Sequence, residues 1–291
     1  MRDDPLFGVS QYTTMPLSFE QDIELYTRLG VSAIEVCEEK LSDDPGQAQD
    51  QLALVAESDL AVTSAQAYIH SPFPHAWTVE EDPKEPAGRF ARLRKSIDRF
   101  TEAFAGQNLL MVSTSGAAPD GDFRLAHQLA RQHYREVADY AADRGARIMY
   151  EPLSPVLMNT FSFICTLREA MQLIEDVDRP NFGLLLDVWH LWREPNIAEN
   201  IAQLGDRIFC VHLGDWPVGE PRGSLDRVLP GQGLIDLAPM LKAIRSAGYD
   251  DVYCLEIFSS EEYPDSLWRA DPAEVIETGR EGFLKAWKSS N

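Results

Sequence analysis

Glu151, Asp187, His212 and Glu256 each close a short apolar run of the chain, at 147–151, 183–187, 208–212 and 252–256. One carboxylate in such a place is ordinary, because it can cap the helix that follows or meet a salt-bridge partner. Four ligand-type residues ending four successive runs are a different matter. If those runs are neighbouring strands, their ends converge and the side chains can surround one ion. Three carboxylates and one imidazole form a mostly hard oxygen set that suits a divalent metal: Mn²⁺ first, Mg²⁺ or Co²⁺ next, with Zn²⁺ also accommodated. His190 lies three residues beyond Asp187 and is placed either to touch metal or substrate or to bond within its own loop. Arg227 sits in Asp226-Arg227-Val228-Leu229-Pro230-Gly231-Gln232-Gly233, a loop shaped by proline and glycine. Its guanidinium is suited to a hydroxyl, carboxylate or phosphate of a substrate, or to a local pair with Asp226.

For these side chains to meet, the chain must bring the run ends to one place. Apolar or β-branched runs at 6–11, 33–37, 61–67, 109–113, 147–151, 183–187, 208–212 and 252–256 read as strands. Amphipathic patterns at 18–29, 46–58, 87–105, 122–144, 166–176, 196–203, 236–246 and 272–288 alternate with them as helices. Leu29-Gly30, Arg144-Gly145 and Ala247-Gly248 read as helix exits. Eight strand-then-helix units predict a parallel sheet covered by helices, which closes more naturally into a barrel than it stays an open doubly wound sheet. The expected fold class is α/β, a single (β/α)₈ TIM barrel with residues 1–291 as one domain. Long connections at 68–87 and 213–235 follow strand ends and are rich in Pro, Gly, Trp and His, as befits loops that build a barrel's active face.

Charge and composition narrow the partners. With 26 basic against 47 acidic residues the net charge is −21, which repels a phosphate backbone, so no nucleic-acid partner is expected. Acidic runs such as Glu80-Glu81-Asp82 and Glu261-Glu262 read as solvated surface. An apolar share of 44% with 25% charged residues is that of a soluble globular chain with a sizeable core. Cys37, Cys165, Cys210 and Cys254 lie far apart without a C-x-x-C pair and read as buried reduced thiols. Met1-Arg2-Asp3-Asp4-Pro5 has no apolar segment behind it, and no stretch reaches the roughly 18 apolar residues of a membrane span, so a cytoplasmic protein with no membrane partner is expected.

Read in order, Glu151-Pro152-Leu153, Leu186-Asp187-Val188-Trp189-His190, Val211-His212-Leu213-Gly214-Asp215, Arg227 with Leu229-Pro230-Gly231-Gln232-Gly233, and Leu255-Glu256-Ile257-Phe258 resemble the xylose isomerase-like barrels. That family includes sugar phosphate isomerases, ketose 3-epimerases, inosose isomerases and dehydratases, and type IV apurinic endonucleases. The pieces are short, but their order and strand placement are specific together and cover nearly the whole chain. The resemblance implies that Glu151, Asp187, His212 and Glu256 bind one metal, that Glu151 and Glu256 also exchange protons with substrate, and that His190 and Arg227 bind substrate. It further implies a metal-dependent isomerase or epimerase of a ketose, keto-sugar or cyclitol ketone, acting through an enediolate in carbohydrate metabolism, as a homodimer or homotetramer.

Departures and alternatives belong beside that reading. The endonuclease branch carries further histidine ligands, whereas the fourth strand here ends Val112-Ser113-Thr114 and no second histidine follows His212 in its loop. A dehydratase of an inosose or keto-sugar would use the same metal and the same first proton abstraction, with His190 as an acid. A barrel that binds sugar without turning it over is the reading from another class. His70 and His75 can line the pocket or bond within the third loop. Trp189, Trp192 and Trp216 can stack on a sugar ring, with Trp216 counted among the substrate binders, or pack as plain core. Glu35 points to the same region as a supporting residue, or pairs with a Lys or Arg. Arg193, Arg222 and Arg227 are the chief basic residues there, too few to argue for a phosphorylated substrate.

Overall fold

The computed structural model describes residues 4–219, 222–223 and 225–290. Residues 1–3, on which the reading of the N-terminus partly rests, lie outside the described residues, as do Glu220, Pro221, Ser224 and Asn291. Eight strands follow one another in chain order round a closed barrel: β1 (Phe7–Ser10), β2 (Ala33–Cys37), β3 (Ala61–Gln66), β4 (Leu110–Ser113), β5 (Arg147–Tyr150), β6 (Phe182–Asp187), β7 (Ile208–Leu213) and β8 (Tyr253–Leu255). The helices between and after them are α1 (Phe19–Arg28), α2 (Pro45–Glu57), α3 (Pro86–Ala103), α4 (Phe123–Ala142), α5 (Leu167–Val177), α6 (Val188–Leu191), α7 (Ile197–Ile201), α8 (Leu237–Ser246) and α9 (Pro272–Ser289). Closure of the sheet excludes the open doubly wound alternative.

The strands are buried on both faces, as parallel strands under helices must be. Every residue of β2, β6 and β7 is buried, and each aliphatic side chain so enclosed contributes roughly 1.5–3 kcal/mol. The helices start and stop where local chemistry dictates. Ser18 and Gln21 form a reciprocal capping box at the start of α1. α4 buries Ala126, Ala130, His133, Tyr134, Val137, Ala138 and Ala141, one stripe at helical spacing whose alanines permit close packing. The three expected exits hold, with Gly30, Gly145 and Gly248 at φ of 61°, 74° and 95°. Cys37, Cys165, Cys210 and Cys254 are buried free thiols. No helix among the described residues is long and apolar enough to cross a membrane.

The expected helix over 196–203 is α7, and one turn that was not expected stands before it. A single turn, α6, begins straight after Asp187, and α7 follows only after Asn196 takes the left-handed conformation at φ 57°. The apolar run Leu184-Leu185-Leu186-Asp187-Val188-Trp189 hides the start of α6, because burial and not periodicity governs it.

By compactness the chain divides into two units, Met1–Thr63 with Leu186–Asn291, and Ser64–Leu185. In the first, β1 pairs parallel with β2 and with β8, and β8 with β7. In the second, β4 pairs with β3 and β5, and β5 with β6.

Candidate metal centre

Asp187, His212 and Glu256 come together in the first unit. Asp187 is the last residue of β6, and its Oδ1 accepts the Trp189 N–H at 2.6 Å, capping α6. The ordinary role of a strand-end carboxylate is therefore present, and it occupies one oxygen only. The other, Oδ2, accepts from Arg227 Nη1 at 2.8 Å. On β7, His212 stands opposite Cys254 of β8, so that Leu213 pairs with Leu255 and Glu256 follows. Glu256 N–H donates to Leu213 O at 2.9 Å, which carries the ladder one residue past β8 and holds the glutamate's backbone rigid. These three side chains are fully buried or nearly so, and one ligand atom from each lies within 4.8 Å of the others.

Arg227 belongs to this group and not to Asp226. Its Nη1 donates to Asp187 Oδ2 at 2.8 Å and to Glu256 Oε2 at 3.0 Å, and its carbon lies 4.9 and 5.0 Å over the Trp189 and Phe258 rings. Asp226 pairs instead with Arg222, at 2.5 Å, and Arg222 also meets Asp265 and stacks on Tyr263. The loop that presents Arg227 is tied down by Asp215. Its carboxylate accepts four backbone N–H groups, from Trp216, Gly231, Gly233 and Ile235, at 2.8 to 3.0 Å. Asp215 and Val228 exchange both backbone hydrogen bonds, one residue from Arg227. Gly233 is required there, since a Cβ would stand 2.1 Å from Trp216 O.

Charge inside the cluster follows from these contacts. Burial raises the Glu256 carboxyl, but the positive His212 and Arg227 beside it outweigh burial and hold it below the usual glutamate range. Burial likewise opposes charge on His212, yet Glu35, 3.1 Å from Nε2, and Glu256, 3.2 Å from Nδ1, push its pKa well above the ordinary value. His190 goes the other way. Burial outweighs Asp187 and lowers it to about 4, so it is neutral near pH 7. Arg227 Nη2 faces its Nε2 at 3.2 Å, and since a guanidinium only donates, Nε2 is the accepting nitrogen.

Other expected residues are placed as follows. Glu151 comes directly after β5 in the second unit, buried, its N–H donating to Ser113 O at 2.9 Å. Also in the second unit, His70 donates from Nδ1 to Ala67 O at 2.8 Å and stacks on His75, which is the loop-bonding alternative. Trp216 lies flat against Trp189 at 4.7 Å and near Trp192 at 5.9 Å, an aromatic cluster beside Arg227. Glu35 meets His212, 3.1 Å from its Nε2. Its one sequence signal is a carboxylate inside an otherwise apolar strand. The clamp formed by Asp215 has none, because three of its four partners are backbone groups 16 to 20 residues away.

Residues 23–287 match the family of xylose isomerase-like TIM barrels. The chain belongs to that family. It is 32% identical over 151 residues to the inosose isomerase of Bacillus subtilis, covering 50% of this chain and 50% of that one. It is 28% identical over 267 residues to the 3-dehydroshikimate dehydratase of Pseudomonas putida, covering 86% of this chain and 37% of that one. The chain thus spans half or less of the length of these curated relatives. Its fold is similar to a crystal structure of the IOLI protein with a bound zinc atom, at a TM-score of 0.75 and 22% identity over 98% of this chain and 99% of that one.

Proposed function

We propose that this xylose isomerase-like barrel is a metal-dependent isomerase or epimerase of a ketose, keto-sugar or cyclitol ketone, with residues 1–291 working as one domain. The observation that carries the reading is the buried group of Asp187, His212 and Glu256, with ligand atoms within 4.8 Å of one another. Two carboxylates and an imidazole fit a divalent cation, and Glu151, ending the strand before β6 in the barrel order, is proposed as the fourth ligand. Mn²⁺ is proposed first for this oxygen-rich set, and the zinc of the similar IOLI structure keeps Zn²⁺ in play beside Mg²⁺ and Co²⁺. A divalent ion held there would chelate the ketone oxygen and a neighbouring hydroxyl and offset the negative charge that develops as the adjacent C–H proton leaves.

The protein's own part is proton transfer and positioning. Glu256, held ionised, accepts the proton from the carbon beside the ketone, and the C–H electron pair becomes the second carbon–carbon bond of an enediolate. Glu151, entering protonated, gives its proton to the opposite face of that carbon while the oxygen's electron pair re-forms the ketone. This inverts the carbon and leaves Glu151 ionised and Glu256 protonated until both exchange with solvent. Arg227 and neutral His190 offer donors and acceptors to substrate hydroxyls, with His70 and Trp216 as further contacts. A homodimer or homotetramer is proposed on the resemblance, and a cytoplasmic setting fits the four free thiols.

One observation favours a second reading: the 3-dehydroshikimate dehydratase aligns over 86% of this chain. In a dehydratase the same electron pair would expel a β-hydroxyl, which leaves as water after taking one proton. Incubation with keto-sugars and cyclitols in D₂O, after chelation and readdition of Mn²⁺, separates the two. Deuterium at an inverted carbon without loss of water supports epimerisation, and an enone chromophore supports dehydration. Glu151→Gln and Glu256→Gln each lower kcat by about 10²–10⁴-fold, the usual share of a positioned acid or base. Full activity in either variant would sink the two-glutamate mechanism.

A further inference from the structure

We propose that Glu35 is the positioning residue of the metal-binding histidine: it accepts the hydrogen bond of His212 Nε2–H, so that Nδ1, on the side of Glu256, is the nitrogen that gives up its proton and its lone pair to a metal. The proposal rests on reading His212 as a ligand. Its basis is geometric. Glu35 Oε2 stands 3.1 Å from His212 Nε2, and Glu256 Oε2 stands 3.2 Å from Nδ1, so the two ring nitrogens face two different carboxylates. Both Glu35 and His212 are wholly buried. The register Ser10 to Glu35 fixes the glutamate in the sheet, and its carbonyl accepts Gln11 N–H at 3.2 Å. A carboxylate with no access to solvent is costly to keep, and an imidazole N–H that must be directed is one of the few partners that repays it. A metal-bound histidine needs its second N–H held by an acceptor to fix tautomer and ring orientation, and losing that acceptor typically weakens metal binding 10–100-fold.

Glu35, His212 and Cys254 also form a second group with ligand atoms within 4.8 Å of one another, and the test tells the two arrangements apart. Metal-free protein is titrated with Co²⁺ and followed by visible absorption. The unaltered chain binds Co²⁺, Glu35→Gln binds it 10–100-fold more weakly, and Glu35→Asp, which keeps the charge with a shorter reach, falls between. In a His212→Ala background, Glu35→Gln changes the affinity by no more than about twofold, because its route of action is gone. A merely structural role would weaken binding equally in both backgrounds and overturn the proposal. Undiminished affinity in Glu35→Gln overturns it too, as does a near-ultraviolet sulfur-to-cobalt band lost in Cys254→Ala, which places the ion on the thiol side. Failure of the unaltered chain to bind Co²⁺, or binding undisturbed by Asp187→Asn, overturns the metal reading itself and this proposal with it.

Discussion

Arg227 balances the charge among the buried carboxylates, touching Asp187 and Glu256 with one nitrogen and His190 with another. Arg227→Met keeps the stem and removes the cation. Without it two buried carboxylates face each other, and the metal-free protein loses about 3–5 kcal/mol, the usual result of removing one partner of a buried pair. Urea unfolding measures the loss, and saturating Mn²⁺ recovers part of it, because a cation again neutralises the carboxylates. A variant as stable as the parent in the absence of metal would show that Arg227 does not carry that balance. Arg227→Lys recovers little, since a single ammonium does not reproduce a planar fork that meets three groups.

Two elements decide how well those residues are held. The 229–235 loop owes its shape to Asp215, and Gly282 of α9 lies so near it that a Cβ would stand 1.8 Å from Pro230 O. Asp215→Asn replaces two accepting oxygens with one and turns a donor toward backbone N–H groups. Stability falls by about 1–3 kcal/mol, and KM for substrate rises as Arg227 loses its fixed base. An unchanged KM together with an unchanged urea midpoint would count against the clamp. In α4, burial, with Arg89 adding to it, lowers the His133 pKa to about 4 from 6.5. An unfolded chain takes up a proton at that position as pH falls below 6.5, whereas the folded chain refuses it until about 4. The stabilisation is complete above pH 6.5 and is lost across that window, about 3 kcal/mol for this one group. His133→Phe, at a position whose Nε2 has no hydrogen-bond partner among the described residues, loses about 3 kcal/mol less than the parent between pH 7 and 4 by urea midpoint. Parallel acid limbs in the two proteins would contradict this.

For the whole molecule, a net charge of −21 predicts no retention on duplex DNA at low salt, where counterion release would be strongest for a binder. Salt-sensitive binding in a band-shift assay would reverse that expectation. The repeated strand-and-helix pattern, the barrel and the glycine exits were legible in the chain because they are periodic or depend on single residues. So was the placement of Asp187, His212 and Glu256, since a polar residue closing a buried strand leaves a mark in the sequence itself. The single turn of α6 was not, because it continues the apolar run of β6 without a change of composition. Nor was the choice of Arg227 for Asp187 and Glu256 over the adjacent Asp226, the meeting of Glu35 with His212, or the gathering of four N–H groups on Asp215. Those contacts join positions up to 177 residues apart, and their strength comes from burial, which turns weak aqueous attractions into strong preferences and which a linear chain does not display.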